Sequence, residues 1–403
     1  MVLGAGVVGM TTAYALARKG FAVSVVDAGP SPAENGASFG NGSQLSYSYT
    51  DAMASPSMVA SLPKYLLGRD PAFRIRITPT PRFVEWGLRF LANSSQKRFE
   101  QNTIDVLKLA MESRTEFAAI QDKVAFDYRR SGKINLYANQ ESLEKAKALS
   151  ELKNRFGAEQ VILKREEAIE REPALAHYGH SFVGALWSPH DESGDSRLFC
   201  HGLKALLEND FGVRFIFNTR IKGLGTKGAR LESVATDQGD IFCSRAVLSL
   251  GSWTSAVAKS VGIHLPIWPV QGYSMTIPTT DFAPSASITD TSRKTVFCRI
   301  GDRLRIAGLA DIGPGAGLFR QERFETLFET ARGIFPKAGN YEGEVNAWTG
   351  LRPVTPNSQP IVGPSKVAGL FLNCGHGSLG WTLSMATAET LSAEIVKMAG
   401  SPH

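Results

Sequence analysis

Strand-like and helix-like stretches alternate at the start of the chain. An apolar run, Met1-Val2-Leu3, leads into MTTAYALARKG, in which alanines and apolar residues recur on one helical face. The next stretch, AVSVVD, is typical of a buried strand, and Gly20 separates it from the helix. The pattern therefore predicts a β-α-β unit over residues 1–27.

Further stretches with a regular period follow. Residues 95–122 carry apolar side chains at helical spacing, and residues 141–171 form a charged helical region. Between residues 213 and 253, VRFIFNTRI and CSRAVLSLGSW each predict a strand, the second ending in a Gly-Ser-Trp turn. Near the other end, Leu370-Phe371-Leu372 predicts a strand that meets a glycine-rich turn and a helix over about 382–398.

The signals of a nucleotide-binding domain thus lie in three separated pieces. We predict an α/β (α+β) fold with a Rossmann-like domain assembled from residues 1–45, 195–262 and 346–403. Residues 46–194 and 263–345 are expected to form a second, inserted domain for the substrate. This division suits a flavin held along its whole length, whereas a nicotinamide domain is expected to continue with alternating strands and helices.

Composition adds limits to this picture. The 403 residues are 43% hydrophobic and 20% charged, and no apolar run approaches the roughly 20 residues needed to span a bilayer. We expect no signal peptide before the first motif. The four cysteines are scattered without metal-site spacing, which indicates a reducing cytoplasm. The net charge of +6 suits an anionic ligand, an anionic membrane face or a solvated surface.

The glycine-rich stretch GAGVVG lies between the first strand and the first helix. Its glycines permit a tight turn, close approach of the backbone to a pyrophosphate, and close packing of helix on strand. The helix N-terminus adds free N–H groups, and the acidic residue that ends the second strand is placed to bind a ribose diol. The alternative is a structural turn without a ligand. The pattern predicts a dinucleotide site formed by Gly4, Gly6, Val7, Val8, Gly9 and Asp27.

Five motifs occur in a characteristic order. They are GAGVVG with its acidic partner, the loop SFGNG at 38–42, PVQGYS at 269–274, TGLRPVTP at 349–356 and GHGSLGWT at 375–382. In this order they make the chain similar to the D-amino acid oxidase superfamily of FAD enzymes, and within it to bacterial D-amino acid dehydrogenases of the small-subunit type. The resemblance covers essentially the whole chain.

The resemblance implies an FAD domain and a substrate domain built on an antiparallel sheet, with the flavin at their junction. The first glycine loop would hold the diphosphate, and the C-terminal loop would place N–H groups and a helix N-terminus beside the flavin C2 carbonyl. The implied FAD contacts beyond the first loop are Ser38, Asn41, Gly42, Ser43, Gln44, Ile221, Gly251, Trp253, Gly377, Ser378, Leu379, Gly380, Trp381 and Thr382.

Arg352, in the GLRP stretch, is the principal candidate for binding the substrate. The resemblance implies that this arginine binds the substrate carboxylate, and a guanidinium fork matches a carboxylate bidentately. Pro353 and Pro356 would stiffen the loop around it. The ordinary alternative is an arginine in a surface salt bridge.

The other candidates are weaker. Tyr49 resembles a family tyrosine that reaches the substrate carboxylate, with simple packing as its alternative. Tyr273 is expected to flank the cavity from a sheet. His376 could contact the flavin or the substrate amine, or be hydrogen-bonded in place, and we assign it no proton transfer. Phe39 puts a bulky ring in the flavin loop, where we expect it to reshape the pocket.

The motif HDESGDS, from His190 to Ser196, contains residue types that bind metals. We interpret it instead as a turn and an N-cap, by Asp195 or Ser196, for a helix that starts near Arg197. We therefore predict no metal site.

The resemblance predicts FAD-dependent oxidative deamination of a D-amino acid to an imino acid and then a 2-oxo acid and ammonia, with electrons passed to a quinone, another acceptor or O₂. Alternatives are oxidation of a secondary amine or of glycine (D-hydroxyproline and sarcosine being examples of the former), an NAD-dependent dehydrogenase, and a non-catalytic flavin-binding module. We expect a small amino acid as substrate, no nucleic-acid partner and a cytoplasmic location. Residues 82–92 favour an ordinary core-facing helix over peripheral contact with the membrane.

Overall fold

The computed structural model describes residues 1–400 as a mixed α/β fold. Its α-helices are α1 (Val7–Arg18), α2 (Pro56–Leu66), α3 (Pro81–Ala92), α4 (Gln96–Ala118), α5 (Gln140–Asn154), α6 (Arg165–Arg171), α7 (Ser196–Phe211), α8 (Thr254–Lys259), α9 (Gln321–Ile334) and α10 (Gly380–Ala399). Short 3₁₀ turns occur at Gln121–Lys123, Pro173–His177 and Gly251–Trp253.

The strands form sheets of both parallel and antiparallel type. They are β1 (Val2–Leu3), β2 (Ser24–Val26), β3 (Gln44–Leu45), β4 (Phe73–Ile75), β5 (Lys133–Tyr137), β6 (Val161–Lys164), β7 (Gly184–Ser188), β8 (Glu192–Ser193), β9 (Arg214–Ile216), β10 (Ile221–Lys227), β11 (Arg230–Thr236), β12 (Gly239–Phe242), β13 (Ala246–Leu248), β14 (Trp268–Pro278), β15 (Ser287–Asp290), β16 (Thr295–Ile300), β17 (Arg303–Ile312), β18 (Asn346–Val354), β19 (Ile361–Pro364) and β20 (Leu370–Cys374).

A six-stranded sheet has the order β19-β20-β13-β1-β2-β9. Its strands are parallel except β19, which runs antiparallel to β20. The apolar helix α1 is buried along most of its length and packs against α10, and Thr11 donates from its hydroxyl to the Ser384 carbonyl at 3.1 Å. The predicted β-α-β unit and its assembly from separated pieces of chain are confirmed, because β1, β13 and β20 come from three distant segments.

A nine-stranded sheet has the order β18-β14-β17-β16-β15-β5-β7-β6, with β4 beside β17. Most pairs are antiparallel, while β15–β5 and β17–β4 are parallel. The expected antiparallel sheet is therefore largely but not wholly antiparallel. Strand β18 pairs along its full length with β14 and so belongs to this sheet, although the sequence assigned residues 346–354 to the nucleotide domain. The division of the chain into domains stays a prediction.

Several helices begin at a polar cap. The side chains of Ser55, Thr80, Ser95, Asn139 and Asp195 each accept a hydrogen bond from a backbone N–H in the first turn of the helix that follows. The cap by Asp195 at the start of α7 confirms the interpretation of HDESGDS. Among residues 1–400, no group of three or more His, Cys, Asp and Glu side chains is arranged to hold a metal ion.

Two predicted elements are divided in the structure. The stretch VRFIFNTRI was expected to form one strand, but Asn218 adopts a left-handed conformation (φ 52°), so the chain leaves the six-stranded sheet after β9 and enters the small β10-β11-β12 meander. The helical region 141–171 contains β6 between α5 and α6. Apolar periodicity over a short window does not distinguish one continuous helix or strand from two shorter elements.

Candidate active site

A cavity of about 1090 Å³ lies between the six-stranded and nine-stranded sheets. Its wall includes the residues that follow the carboxyl ends of the parallel strands: Gly4 after β1, Asp27 after β2, Ser249 after β13 and Gly375 after β20. Ligands of open α/β sheets bind at this end of the strands. The cavity is therefore the candidate site.

The structure brings the predicted site residues together around this cavity, except two. All the predicted cofactor and substrate residues line it apart from Gly9 and Ser43. Gly9 lies one turn into α1, where an added Cβ would be 1.8 Å from the Gly4 carbonyl oxygen, so its role is packing of the helix on the first strand. The hydroxyl of Ser43 is buried without a hydrogen-bond partner in residues 1–400. The ligand roles of all these residues stay predictions.

The first glycine loop is held in a shape that leaves no room for larger residues. Gly4 has φ +107°, and a Cβ there would be 2.6 Å from the Ser249 carbonyl oxygen. The Asp27 carboxylate accepts from the backbone N–H groups of Ala5 and Gly29, each at 2.7 Å. A carboxylate has further lone pairs, so these bonds leave acceptor capacity for a ribose hydroxyl.

The loop after the β-α-β unit continues the wall. The Ser38 hydroxyl accepts from the N–H of Val7 at 3.0 Å, at the N-terminus of α1. The Asn41 side chain accepts from the Ser43 N–H at 2.9 Å and donates to Ser196 at 2.8 Å. These bonds fix the loop through its backbone, as a loop that approaches a cofactor closely requires.

Phe39 corrects an expectation. Its ring lies beneath the Arg197 guanidinium, 4.7 Å from the ring centroid to Cζ, and Phe39 is not part of the cavity wall, whereas its neighbours Ser38 and Gly40 are. The predicted influence of this ring on the shape of the pocket is therefore wrong. The ring points outward because a cation–π contact with α7 holds it there.

The C-terminal loop forms the opposite part of the wall. Gly375 and Gly377 have φ of +78° and +58°, and the Gly377 N–H donates to the Pro353 carbonyl at 2.9 Å. Trp381 and Thr382 then enter the first turn of α10, and the Thr382 hydroxyl accepts from the Ser46 N–H at 3.0 Å. The loop therefore directs the N-terminus of a long helix at the cavity.

Arg352 projects into the cavity from β18. Its Nη1 donates to the Leu309 carbonyl at 2.9 Å, and it forms no ion pair with any carboxylate in the described part of the chain. Burial lowers the pKa of its guanidinium, and the Asp311 carboxylate, which acts in the opposite direction, is already paired with Arg323. A half-buried cation that borders a cavity without an acidic partner is a site for an anionic ligand.

Two backbone features make room for this guanidinium. Gly272 lies opposite Gly350 on the neighbouring strand, and a Cβ there would be 2.4 Å from Arg352 Nη2. Leu309 has φ +60° at a bulge in β17, which turns its carbonyl to the arginine. A non-glycine residue in this conformation is uncommon and occurs often at functional sites.

The remaining candidates differ in what they can do. Tyr49 lines the cavity with its ring 4.3 Å from Lys133 Nζ. Tyr273 is a buried sheet residue at the cavity edge, and its hydroxyl accepts from Gln271 at 3.1 Å. His376 is hydrogen-bonded to Thr387 at 3.1 Å, and burial lowers its pKa to about 3, so it stays neutral. No proton transfer by His376 is needed or indicated.

Some wall residues were missed in the sequence. Trp348 fits between Gly40 and Gly350, at each of which a Cβ would meet its indole within 2.5 Å. The strand period of two places Trp348, Gly350 and Arg352 on one face, so the spacing from Arg352 indicates that Trp348 faces the same cavity. Lys133 lies in KINLY, where polar and apolar side chains alternate. This alternation is as typical of a strand with one face in solvent as of one that lines a cavity, so the sequence does not indicate that Lys133 belongs to the site.

The fold and the cavity together define a dinucleotide-dependent oxidoreductase. The family described as FAD dependent oxidoreductase (DAO) matches residues 1–394, and the chain belongs to this family. A D-amino acid dehydrogenase 2 of Ralstonia nicotianae is 36% identical, with 99% of this chain and 96% of that protein covered. A D-amino acid dehydrogenase of Rhizobium johnstonii is 37% identical, with 97% and 94% covered.

Solved structures agree on the fold. Glycine oxidase from Bacillus cereus ATCC 14579 superposes with a TM-score of 0.73 at 19% identity, covering 99% of this chain and 95% of that one. The expected α/β fold with its antiparallel component is confirmed. The family match over residues 1–394 makes the protein an FAD-dependent oxidoreductase.

The residues present fit FAD. The cavity volume of about 1090 Å³ exceeds the ~300–1,000 Å³ of ordinary ligand pockets, which suits a dinucleotide plus a small substrate. Two of the wall residues, Ser249 and Trp381, have buried polar atoms without a hydrogen-bond partner within residues 1–400. Such atoms are expected to be satisfied by a ligand.

Proposed function

We propose that this enzyme oxidises D-amino acids to imino acids, which hydrolyse to 2-oxo acids and ammonia. The observation that carries the proposal is Arg352, a half-buried guanidinium without an acidic partner in residues 1–400, on the wall of the cavity that also contains the first glycine loop. The names of the relatives support the same substrate class and its stereochemistry.

In this proposal the protein mainly binds and orients. FAD, when bound, supplies the acceptor for the hydride that leaves Cα. Arg352 holds the substrate carboxylate, Tyr49 and Tyr273 border the substrate, and the neutral His376 adds no charge beside the amine. If the substrate binds with a neutral amine, its lone pair assists departure of the hydride and no general base is required, so positioning accounts for much of the catalysis.

The first test is the visible spectrum of the purified protein under anaerobic conditions. Addition of D- and L-amino acids one at a time, including both proline and hydroxyproline epimers, is expected to bleach the oxidised flavin band with D-forms only. The rate of bleaching ranks the substrates without the need to know the electron acceptor. Dithionite is the positive control for a reducible flavin.

Other outcomes separate the alternatives. A band bleached by sarcosine or glycine and not by D-amino acids contradicts the proposed substrate and supports oxidation of a secondary amine or glycine. Bleaching by L-forms overturns the stereochemistry. A band that only dithionite removes supports a non-catalytic module.

We further propose that electrons pass to a membrane quinone and that α3 contacts the membrane surface. The cytoplasmic location stays a prediction, and no helix among residues 1–400 is long and apolar enough to cross a bilayer. Trp86 and Phe90 of α3 face the core, as expected. The same helix also exposes Val84, Leu88 and Leu91 by 52%, 63% and 46%, which an ordinary core-facing helix does not explain.

Anionic lipid is the surface that suits this helix. The protein carries a net charge of +6, although Arg89, beside the exposed apolar stripe, is paired with Glu85 of the same helix at 2.8 Å. The combined substitutions Leu88→Ser and Leu91→Ser are expected to weaken co-sedimentation with vesicles of anionic phospholipid about thirtyfold, since each lost leucine removes roughly 1 kcal/mol of burial. Phe242→Ser, on the distant β12 and 76% exposed, is the matched control. Equal binding by all three proteins contradicts membrane contact through α3.

A further inference from the structure

Lys133 is a buried cation on the wall of the same cavity. Only 1% of its surface is exposed, although it starts β5 of the nine-stranded sheet. Its Nζ donates to Gln44 Oε1 at 3.0 Å and to the Ser46 hydroxyl at 2.9 Å, and it lies 4.3 Å from the centroid of the Tyr49 ring. All its close partners are therefore neutral.

No carboxylate in residues 1–400 forms an ion pair with this ammonium group. Asp51 pairs with Lys153, and Asp191 accepts from the Ser48 N–H through Oδ1, while its Oδ2 is buried without a hydrogen-bond partner in the described part of the chain. Burial lowers the pKa of Lys133 to about 8; the charges of Asp191, Cys298 and Asp51 raise it, and that of Lys153 lowers it. A buried cation that is balanced only through space, by Asp191 and Asp51, and not by an ion pair is costly, which suggests that it has a function.

Hydrogen bonds link Lys133 to the part of the cavity where we predict the redox end of FAD. Ser46 accepts from Lys133 through its hydroxyl and donates through its N–H to Thr382, in the first turn of α10. Gln44, the other partner of Lys133, is also a predicted flavin contact and lines the cavity. The ammonium group thus lies on the cavity wall, bonded to two other wall residues at this end.

We propose that Lys133 raises the reduction potential of the bound flavin by placing a positive charge beside Gln44 and Ser46 on the cavity wall. The proposal rests on the predicted orientation of FAD in the cavity, with its redox end at α10. Reduction adds two electrons and one proton to the flavin, so the ring gains one negative charge. A fixed cation nearby stabilises that charge in a site with few competing waters.

The charge of Lys133 makes the effect depend on pH. Below about pH 8 the ammonium is protonated and favours the reduced flavin. Above that pH it loses its proton in the oxidised enzyme, while the negative charge of the reduced flavin raises the pKa of Lys133 again. Reduction then takes up a second proton, so the potential is expected to fall more steeply with pH above about 8 than below it.

The test is the midpoint potential of the flavin in the whole holoenzyme, measured against reference dyes from pH 6 to 10. In Lys133→Met we expect a lower potential at pH 7, by a tenfold or greater change in the two-electron equilibrium constant, which is about 30 mV. The steeper segment above pH 8 should disappear. Lys133→Arg should keep the high potential and also lose the steeper segment, because arginine stays charged.

Lys294→Met is the control, because Lys294 lines the same cavity but forms an ion pair with Asp70 at 3.1 Å, a carboxylate that also pairs with Lys64 at 2.8 Å. It should leave the potential unchanged. A potential that is equal in wild type and Lys133→Met overturns the proposal, and so does an equal fall in Lys133→Met and Lys133→Arg. If Lys133→Met fails to retain FAD, the wild-type pH series alone decides, since a constant slope through pH 8 contradicts a titrating cation. Potentials do not depend on which amino acid is oxidised, so failure here is distinct from failure of the proposed substrate class.

Discussion

Arg352→Ala is expected to raise KM for amino acids about a hundredfold or more while FAD stays bound. Loss of a buried, charge-assisted bidentate contact costs about 2–5 kcal/mol, and each 1.4 kcal/mol is a factor of ten. The arginine reaches the cavity from the nine-stranded sheet, whereas the glycine loops lie at the six-stranded sheet. The substitution should therefore separate substrate binding from cofactor binding.

Anaerobic reduction of the flavin by increasing concentrations of amino acid measures this effect without an electron acceptor. Two further variants give a graded series. Arg352→Lys keeps the positive charge but loses the bidentate guanidinium. Its KM should therefore lie between that of wild type and that of Arg352→Ala. Gly272→Ala leaves the arginine in place but puts a Cβ 2.4 Å from its Nη2, so it should raise KM by displacing the guanidinium. An unchanged KM in Arg352→Ala removes this residue from the substrate site, and the carboxylate must then bind elsewhere.

Local patterns explain why much of the nucleotide-binding part could be predicted. The glycine loop and the apolar faces of α1 and α10 are encoded within short windows, because turn, helix and strand have different periods. The N-cap by Asp195 was equally local. The pairing of β1 with β2 follows from the same local unit, since a consecutive β-α-β connection places parallel strands side by side, whereas β9, β13 and β20 join the sheet from distant segments.

Features that depend on distant pairing could not be predicted in the same way. Strand β18 carries TGLRP, but its place in the nine-stranded sheet is set by nine paired positions with β14, more than 70 residues earlier. The break at Asn218 depends on a single left-handed residue, and asparagine adopts many other conformations.

Lys133 illustrates the same limit at the site. Alternation in KINLY separates Ile134 and Leu136 from Lys133 and Asn135, and it does not say whether the polar face meets water or a cavity. That face is buried because β3, the loop after it and α10 cover it, so its function becomes apparent only from the fold. Motif-based inference therefore finds the residues that bind a common cofactor more readily than those that adjust it.

Gly9→Val is expected to abolish retention of FAD and to lower the melting temperature. Gly9 does not line the cavity, and a Cβ added to it would be 1.8 Å from the Gly4 carbonyl oxygen. The helix must move off β1, or the loop must shift, and Gly4 is itself confined by Ser249. Overpacking of this kind costs about 1–3 kcal/mol or more, and here the strain falls on the loop that we predict to hold the diphosphate.

The measurement is the ratio of flavin to protein after purification, with thermal unfolding followed in the presence and absence of added FAD. Wild type should gain stability from the cofactor by mass action, and Gly9→Val should gain little, because its binding loop is displaced. Gly87→Ala is the control: Gly87 lies within the surface helix α3 with no atom within 4 Å of an added Cβ, so alanine should be neutral or slightly stabilising. A Gly9→Val protein that purifies fully loaded with FAD contradicts the prediction that this loop holds the diphosphate. Distortion of the loop would then have no effect on cofactor binding.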